Sequence, residues 1–306
     1  MTLPELNHSF STDEDCREIL TRLRWPEGVE CPRCKNRNVW WVDSRKQFTC
    51  SECSYQFSVT TGTIFNDSHL PLPIWFMAVL LLCEAKKGMS ALQLKRTIWG
   101  LHKGSYKTAW YLCHRIRAAM KEVDTPMLDG TVEMDETYVG GKKKGCGSKV
   151  ARDAKEIVIG LRQRNGDLRF FHAEDAKSGT LRKYIEENVS TDVEVLITDS
   201  FPAYKHAAGE AEHKIVNHLA GEYVRYENGA CITTNTVESA FSLLKRGIMG
   251  SWHKISAKHL LAYLDEMTFR FNRRKRSDLF IDTLRHMITA SALPFKKLTA
   301  EPQSVA

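Results

Sequence analysis

Three acidic residues, well separated along the chain, have the types and neighbours needed to bind metal ions. Asp135 lies in the segment Thr131–Val139, whose alternation is typical of a β-strand, and a carboxylate inside a strand needs a partner or a metal ion. Asp199 follows the apolar end of another predicted strand, and Glu238 lies near the start of a predicted helix. Carboxylates of this kind bind pairs of Mg²⁺ or Mn²⁺ ions, which catalyse in-line displacement at phosphorus.

Two of these acids also have an ordinary structural interpretation. An aspartate at a strand end, such as Asp199, is common in turns and helix caps. Asn235 and Glu238 have the spacing of a capping box at a helix start. In favour of the functional interpretation, Lys245 follows Glu238 by two helical turns, so both side chains share one helix face and the lysine is placed to hold a phosphate.

Four cysteines have the spacing C-x2-C-x15-C-x2-C: Cys31, Cys34, Cys50 and Cys53. Each C-x2-C pair folds into a tight turn that presents two thiolates, and two such turns complete a tetrahedral shell for Zn²⁺. Four protein ligands leave no open position, so we predict a structural zinc in a zinc ribbon, with an iron–sulfur site as the alternative. The remaining cysteines are predicted to be ordinary thiols of a reducing cytoplasm: Cys16, Cys83, Cys113, Cys146 and Cys231.

Beyond the ribbon the apolar spacing changes to a helical period. Predicted helices cover 74–87, 91–98 and 106–123, an arrangement typical of a helix-turn-helix, although any three-helix bundle has a similar pattern. On the last helix we predict that Lys107, Arg115 and Arg117, with the neighbouring His114, contact DNA. The ribbon adds basic residues between aromatic ones, a pattern that suits either nucleic acid or a solvated surface over a small core.

The remainder of the chain has the element order strand, strand, strand, helix, strand. This order predicts an RNase H-like α/β core with a mixed sheet, in which the first and fourth strands are neighbours and bring Asp135 close to Asp199. The predicted fold class is therefore a multi-domain α+β protein: a zinc ribbon, a helix-turn-helix-like segment and this core. The predicted segments are 1–65, 66–127, 128–280 and a C-terminal tail at 281–306.

Composition narrows the class of protein further. The 306 residues include 44 Lys and Arg against 37 Asp and Glu, a net charge of +7 that favours a polyanionic partner without establishing one. The start of the chain lacks the pattern of a signal peptide, and the most apolar run, 74–83, is too short to span a bilayer. We therefore predict a cytoplasmic protein without a membrane partner.

Taken together, these motifs resemble bacterial insertion-sequence transposases that have an N-terminal zinc ribbon and a DDE-type catalytic domain. The resemblance covers roughly residues 31 to 276. Besides the four ribbon cysteines, the matching segments are 132–141, 198–200, 234–238, 242–247, 250–254 and 271–274.

The resemblance implies roles for particular residues. Asp135 and Asp199 would be the first two acidic residues, and either Glu238 or Asn235 the third. We prefer Glu238 because a carboxylate binds Mg²⁺ more strongly than an amide does. The implied substrate is double-stranded DNA, namely transposon ends with terminal inverted repeats and a target, cut and joined by a homo-oligomer on paired ends.

Further basic residues are predicted to hold DNA phosphates, although runs of this kind are often only solvated: Lys142, Lys143, Lys144, Arg246, Arg273 and Arg274. Two alternatives to the transposase are a DNA-binding regulator with an inactive core and another RNase H-like nuclease. An intact acidic set argues against the regulator, and the long DNA-binding front end argues against a structure-selective nuclease.

Overall fold

In the computed structural model of this chain, the described residues are 1–140, 155–209 and 211–300. The chain divides into two compact units. The first unit combines the residues up to 121 with those from 273 onward, and the second covers 122–272. This division differs from the predicted segments, because the residues after 281 belong with the N-terminal unit and do not form a separate tail.

The helices of the described residues are α1 (Leu3–Ser9), α2 (Asp13–Arg24), α3 (Leu72–Glu84), α4 (Ala91–Trp99), α5 (Tyr106–Ala119), α6 (Ser178–Asn188), α7 (Tyr204–Ala207), α8 (Asn235–Gly247), α9 (Ala257–Arg273), α10 (Leu279–Thr289) and α11 (Phe295–Thr299). The strands are β1 (Val39–Val42), β2 (Gln47–Cys50), β3 (Gln56–Phe57), β4 (Thr131–Val139), β5 (Glu156–Gln163), β6 (Leu168–Ala173), β7 (Val195–Asp199), β8 (His213–Val216), β9 (Arg225–Glu227) and β10 (Ala230–Ile232). No helix among these described residues is long and apolar enough to cross a membrane.

The first unit contains a three-stranded antiparallel sheet, β1-β2-β3, and a helical core. Helix α10 packs against α2 and α3 because it buries an apolar stripe that includes Phe280, Leu284 and Ile288. The ring of Phe280 lies 5.8 Å from that of Phe76 on α3. Burial of this stripe explains why the C-terminal residues fold with the N-terminal ones.

The second unit is built on a five-stranded sheet with the order β6-β5-β4-β7-β8. Strands β4, β5 and β6 are antiparallel neighbours, whereas β4 pairs with β7 in parallel and β7 pairs with β8 in parallel. The turn between β5 and β6 places Asn165 at φ +62°, a conformation that asparagine tolerates well. The predicted mixed sheet, with its first and fourth strands adjacent, is confirmed.

Each face of this sheet is covered by helices. On one face, Val132 and Met134 of β4 pack in a cluster that includes Leu181 of α6 and Tyr204 of α7. On the other face, α8 joins a cluster of sheet residues that includes Val139. Because side chains alternate along a strand, Glu133, Asp135 and Thr137 point towards the face that α8 covers.

A glycine allows α8 to approach the sheet closely. Gly160 of β5 is the register partner of Asp135 on β4. A Cβ built on Gly160 would lie 2.8 Å from the ring of Phe241 and 3.0 Å from Val237, both on α8. A larger residue would therefore push α8 away from the strand that carries Asp135.

Candidate active site

The two central aspartates lie on neighbouring parallel strands. In the β4–β7 pairing, Glu133 is the register partner of Ile197. Continuing that register by two residues aligns Asp135 with Asp199, and because the side-chain period is two, both point to the same face as this pair. Adjacent strands are about 4.8 Å apart, so the fold brings these two carboxylates together from positions distant in sequence.

The electrostatic surroundings of Asp135 are unusual for a carboxyl group. Burial is the largest cause that raises its pKa, and the negative charges of Glu136, Asp199 and Glu238 act in the same direction, so that the pKa of Asp135 is about 8. One hydrogen bond, from the Glu136 backbone N–H to Asp135 Oδ1 at 2.8 Å, opposes the shift. Without a cation, the site therefore retains a proton on Asp135 near neutral pH.

A buried tyrosine lies beside the aspartates. The Tyr204 hydroxyl donates to Glu136 Oε2 at 2.6 Å, and the phenol ring is almost completely buried. Burial, then the charges of Glu136 and Asp135, raise the pKa of Tyr204 well above its ordinary value, so the hydroxyl stays a donor. The sequence pattern did not single out Glu136 or Tyr204, since their contact joins β4 to a short helix after β7.

Glu238 projects from the first turn of α8 into a cavity of about 660 Å³ that Asp135 also lines. Its Oε1 accepts a hydrogen bond from the Thr234 hydroxyl at 2.7 Å and lies 3.1 Å from His218 Nε2. Lys245 lines the same cavity, as the two-turn spacing predicted, and neighbouring Arg246 does too. Both side chains are exposed, and neither forms an ion pair with another described residue.

The competing third residue, Asn235, is at the first position of α8 and is exposed. It is not among the described residues that line the cavity. The helix cap is Thr234, so the capping box between Asn235 and Glu238 does not form. Geometry thus favours Glu238, and the choice between the two stays a prediction.

The carboxylate oxygens of Asp135, Asp199 and Glu238 do not form a compact set of metal ligands among the described residues. Within the described ranges, the only group of three or more potential ligands whose atoms all lie within 4.8 Å of one another is the set of four cysteines. Glu238 Oε1 is instead held by Thr234 and His218. Asp135 and Glu238 supply carboxylate oxygens to one cavity, and Asp199 lies on the strand next to Asp135. Hard oxygen donors of this kind fit Mg²⁺ or Mn²⁺.

A buried tether fixes α8 relative to β4. Glu133 is 0% exposed, and its Oε2 accepts from the Thr236 hydroxyl at 2.7 Å and from the backbone N–H groups of Thr236 and Val237 at 2.9 and 3.1 Å. Its Oε1 accepts from Arg164 at 2.8 Å, and Arg164 also donates to the Cys231 carbonyl. A carboxylate at a helix N-terminus is favourable, so Glu133 anchors the start of α8 two residues from Asp135.

The four predicted zinc ligands meet in the first unit. Their sulfur atoms all lie within 4.8 Å of one another, with Cys31 Sγ 3.6 Å from Cys53 Sγ and Cys34 Sγ 3.5 Å from Cys50 Sγ. Phe48 of β2 and Phe57 of β3 pack against Trp25 beside the cysteines. Four convergent thiols without an open side suit a structural Zn²⁺.

Two of the predicted DNA contacts on α5 are corrected by the structure. Arg115 is 3% and Arg117 1% exposed, so neither can reach DNA. Arg115 donates to the carbonyls of Ile64 and Asn66, the latter at 2.6 Å, because these loop carbonyls have no strand partner. His114 is buried too, whereas Lys107 is exposed with its ammonium 4.4 Å from the ring centroid of Phe295.

The other basic predictions divide in the same way. Arg273 is largely buried and donates to Asp282 at 2.7 Å, so its predicted phosphate contact is corrected to a structural ion pair. Arg274 is exposed and stays a prediction. Lys142, Lys143 and Lys144 lie outside the described residues.

Comparisons with known proteins agree with this geometry. The profile of the ISXO2-like transposase domain matches residues 127–272, and that of the transposase zinc-ribbon domain matches residues 11–56. Together the two matches span more than half of the chain. The chain therefore resembles transposases that have a zinc ribbon followed by a DDE-type core. More narrowly, almost all of its second unit matches the ISXO2-like transposase domain.

A relative and a solved structure are also similar. The chain is 28% identical over 284 residues to an uncharacterized protein in transposable element ISH50 of Halobacterium salinarum, covering 86% of this chain and 92% of the relative. The Drosophila P element transposase strand transfer complex matches with 12% identity and a TM-score of 0.27, over 73% of this chain and 61% of that one. Because that TM-score is low, the fold assignment rests on the strand order.

Proposed function

We propose that this protein is an active DNA transposase of a bacterial insertion sequence, which binds terminal inverted repeats and catalyses strand cleavage and strand transfer. The observation that carries the proposal is the alignment of Asp135 with Asp199 on adjacent parallel strands, beside a cavity that Glu238 and Lys245 line. The family matches supply the class of protein.

In this proposal Asp135, Asp199 and Glu238 hold two Mg²⁺ or Mn²⁺ ions. Such ions, when bound, activate the attacking oxygen and stabilise the leaving oxygen of an in-line displacement. Lys245 and Arg246, which line the same cavity, offset the charge of the scissile phosphate. Tyr204 keeps Glu136 in place through its hydrogen bond, so that the two aspartates stay aligned.

A cleavage assay with matched controls tests this function. Purified protein is incubated with Mg²⁺ or Mn²⁺ and DNA carrying the element ends, beside Asp135→Asn and Glu238→Gln. Asp192→Asn and Glu194→Gln are the controls, because both residues are exposed in the same unit. We expect metal-dependent nicking at the element end that the controls retain and the two site variants lose, with DNA binding preserved.

Other outcomes of the assay have distinct meanings. Full cleavage by Glu238→Gln, together with loss in Asn235→Ala, would transfer the third role to Asn235. Specific binding to the ends without cleavage by the unmodified protein would favour the DNA-binding regulator. Cleavage of branched DNA in preference to element ends would favour another RNase H-like nuclease.

We also propose that the protein acts in the cytoplasm as a homo-oligomer on paired ends. Joining two ends requires a complex that holds both, which is the reason for this expectation. Light scattering of the protein with one and with two end-bearing duplexes measures the stoichiometry. A single protomer bound to a single end under cleavage conditions would contradict the proposal.

A further inference from the structure

The active-site cavity has an apolar and aromatic wall that metal-ion chemistry at phosphate does not require. Asp135 and Glu238 line one part of the cavity, whereas Tyr223, Phe241 and Met249 line another. Phosphate oxygens and divalent cations gain nothing from an apolar surface. The wall therefore fits a part of the substrate other than the scissile phosphate.

Tyr223 is the most informative residue of this wall. Its side chain is 60% exposed, although it lines the cavity. On one side its ring lies 5.4 Å from that of His218, with an interplanar angle of 41°. His218 in turn contacts Glu238, so Tyr223 is held next to the acidic site with much of its ring free.

The rest of the wall and its surroundings suit a nucleotide. Met249 is 77% exposed and contributes a flexible apolar surface, and Phe241, which is almost completely buried, also lines the cavity. Lys245 and Arg246 add two positive charges to the same cavity. A volume of about 660 Å³ is within the roughly 300–1,000 Å³ typical of sites for small organic ligands.

We propose that this cavity accepts one unpaired nucleobase of the substrate DNA next to the scissile phosphate, with the base against Tyr223 and Met249 and its phosphate near Lys245 and Arg246. A base inside a duplex exposes only its edges, so it must leave the stack to present a face to the tyrosine. Aromatic stacking tolerates any base, because every base has a π-face. This inference rests on the proposed transposase function and adds a specific contact to it.

The test combines a fluorescent base with variants of one tyrosine. The base analogue 2-aminopurine is placed in turn at each position flanking the cleaved bond, since its fluorescence rises when it leaves the duplex stack. Tyr223→Ala removes the ring and Tyr223→Phe keeps it. Tyr226→Ala is the control, because Tyr226 is 76% exposed on the adjacent strand β9 and does not line the cavity.

We expect the fluorescence of one flanking position to change on binding, and Tyr223→Ala to lose that change and to cleave roughly 5- to 100-fold more slowly. Tyr223→Phe and Tyr226→Ala should behave like the unmodified protein. On DNA with an abasic site at the responsive position, Tyr223→Ala should no longer be slower than the unmodified protein, because no base remains to stack. A tyrosine with only a structural role would slow both substrates equally.

Two results would overturn the inference. One is cleavage by Tyr223→Ala at the unmodified rate; the other is an unchanged 2-aminopurine signal at every flanking position. Failure of the proposed function looks different, because then the unmodified protein cuts no element end. The fluorescence of the bound DNA still tests the base-binding cavity in that case, since it requires no cleavage.

Discussion

Replacing Asp135 by asparagine should change how the stability of the metal-free second unit depends on pH. The pKa of Asp135 is about 8 in the folded chain, against an ordinary value of 3.8. Between these two values the folded state keeps a proton that the unfolded state has lost. The contribution of Asp135 to stability is therefore full below about pH 4 and is lost as the pH rises towards 8.

The size of the effect follows from the same shift. One bound proton gives a slope of about 1.4 kcal/mol per pH unit, hence about 2.7 kcal/mol between pH 5 and pH 7. Asp135 keeps some contact with solvent, which reduces this figure. We therefore expect the free energy of unfolding of the unmodified chain to fall by about 1–2 kcal/mol relative to Asp135→Asn over that range.

Hydrogen exchange is the appropriate assay, because a chain of two units does not have to unfold in one step. Exchange of the β4 amides, corrected for the intrinsic pH dependence, is compared between the unmodified protein and Asp135→Asn at each pH. Asp192→Asn is the control for removing one exposed carboxylate. A stability difference that stays constant from pH 5 to pH 7 would refute the assignment of a retained proton to Asp135.

The same proton predicts how metal affinity depends on pH. A divalent cation bound by Asp135 must displace the proton, so the affinity for Mg²⁺ should rise with pH by up to about tenfold per unit until the pH approaches 8. Titration calorimetry at pH 6 and pH 8 measures the change and the protons released. Equal affinities at both pH values would mean that cation binding does not displace a proton from Asp135.

Three further predictions concern residues outside the acidic set. A chelator that removes zinc, or the Cys50→Ser substitution, should unfold the ribbon, because its small core cannot fold without the metal. Unchanged tryptophan fluorescence after verified metal loss would count against a structural zinc. Arg115→Ala should lower the free energy of unfolding of the first unit by about 2–3 kcal/mol, because two buried carbonyls lose a charged donor, while the folded variant keeps its DNA affinity. Glu133→Gln should destabilise the second unit by about 3 kcal/mol, because Arg164 loses its buried counter-charge; a melting temperature equal to that of Glu194→Gln would contradict the tether.

Local spacing was sufficient to predict several elements of this protein. The four cysteines converge because each C-x2-C pair is a turn with its own geometry. Strand β4 has the predicted bounds, since its alternation of polar and apolar residues is complete within nine positions. The adjacency of β4 and β7 followed from the order of elements, because few sheet topologies accommodate that order.

Other features were beyond the reach of sequence patterns. Strands β8, β9 and β10 have only three or four residues each, too few to show an apolar period that would predict them. His218 and Tyr223 lie in the loop between β8 and β9, and their position beside Glu238 depends on how the β9–β10 hairpin turns the chain back to the start of α8. Helix α10 was predicted to be part of a tail because its partners, α2 and α3, lie near the other end of the chain.

The charged residues show most clearly what the sequence determines and what only the tertiary structure decides. The sequence determined which side chains could bind metal or phosphate, because residue type and spacing fix their chemistry and, along one helix or strand, their direction. Tertiary structure decided which of them are free to do so. Arg115 donates hydrogen bonds to loop carbonyls, and Arg273 forms an ion pair with Asp282. Glu133 accepts hydrogen bonds from the N-terminus of α8, whereas Lys245 lines an open cavity. The reason is physical: a buried charge must find partners, and those partners come from segments that only the folded chain brings together.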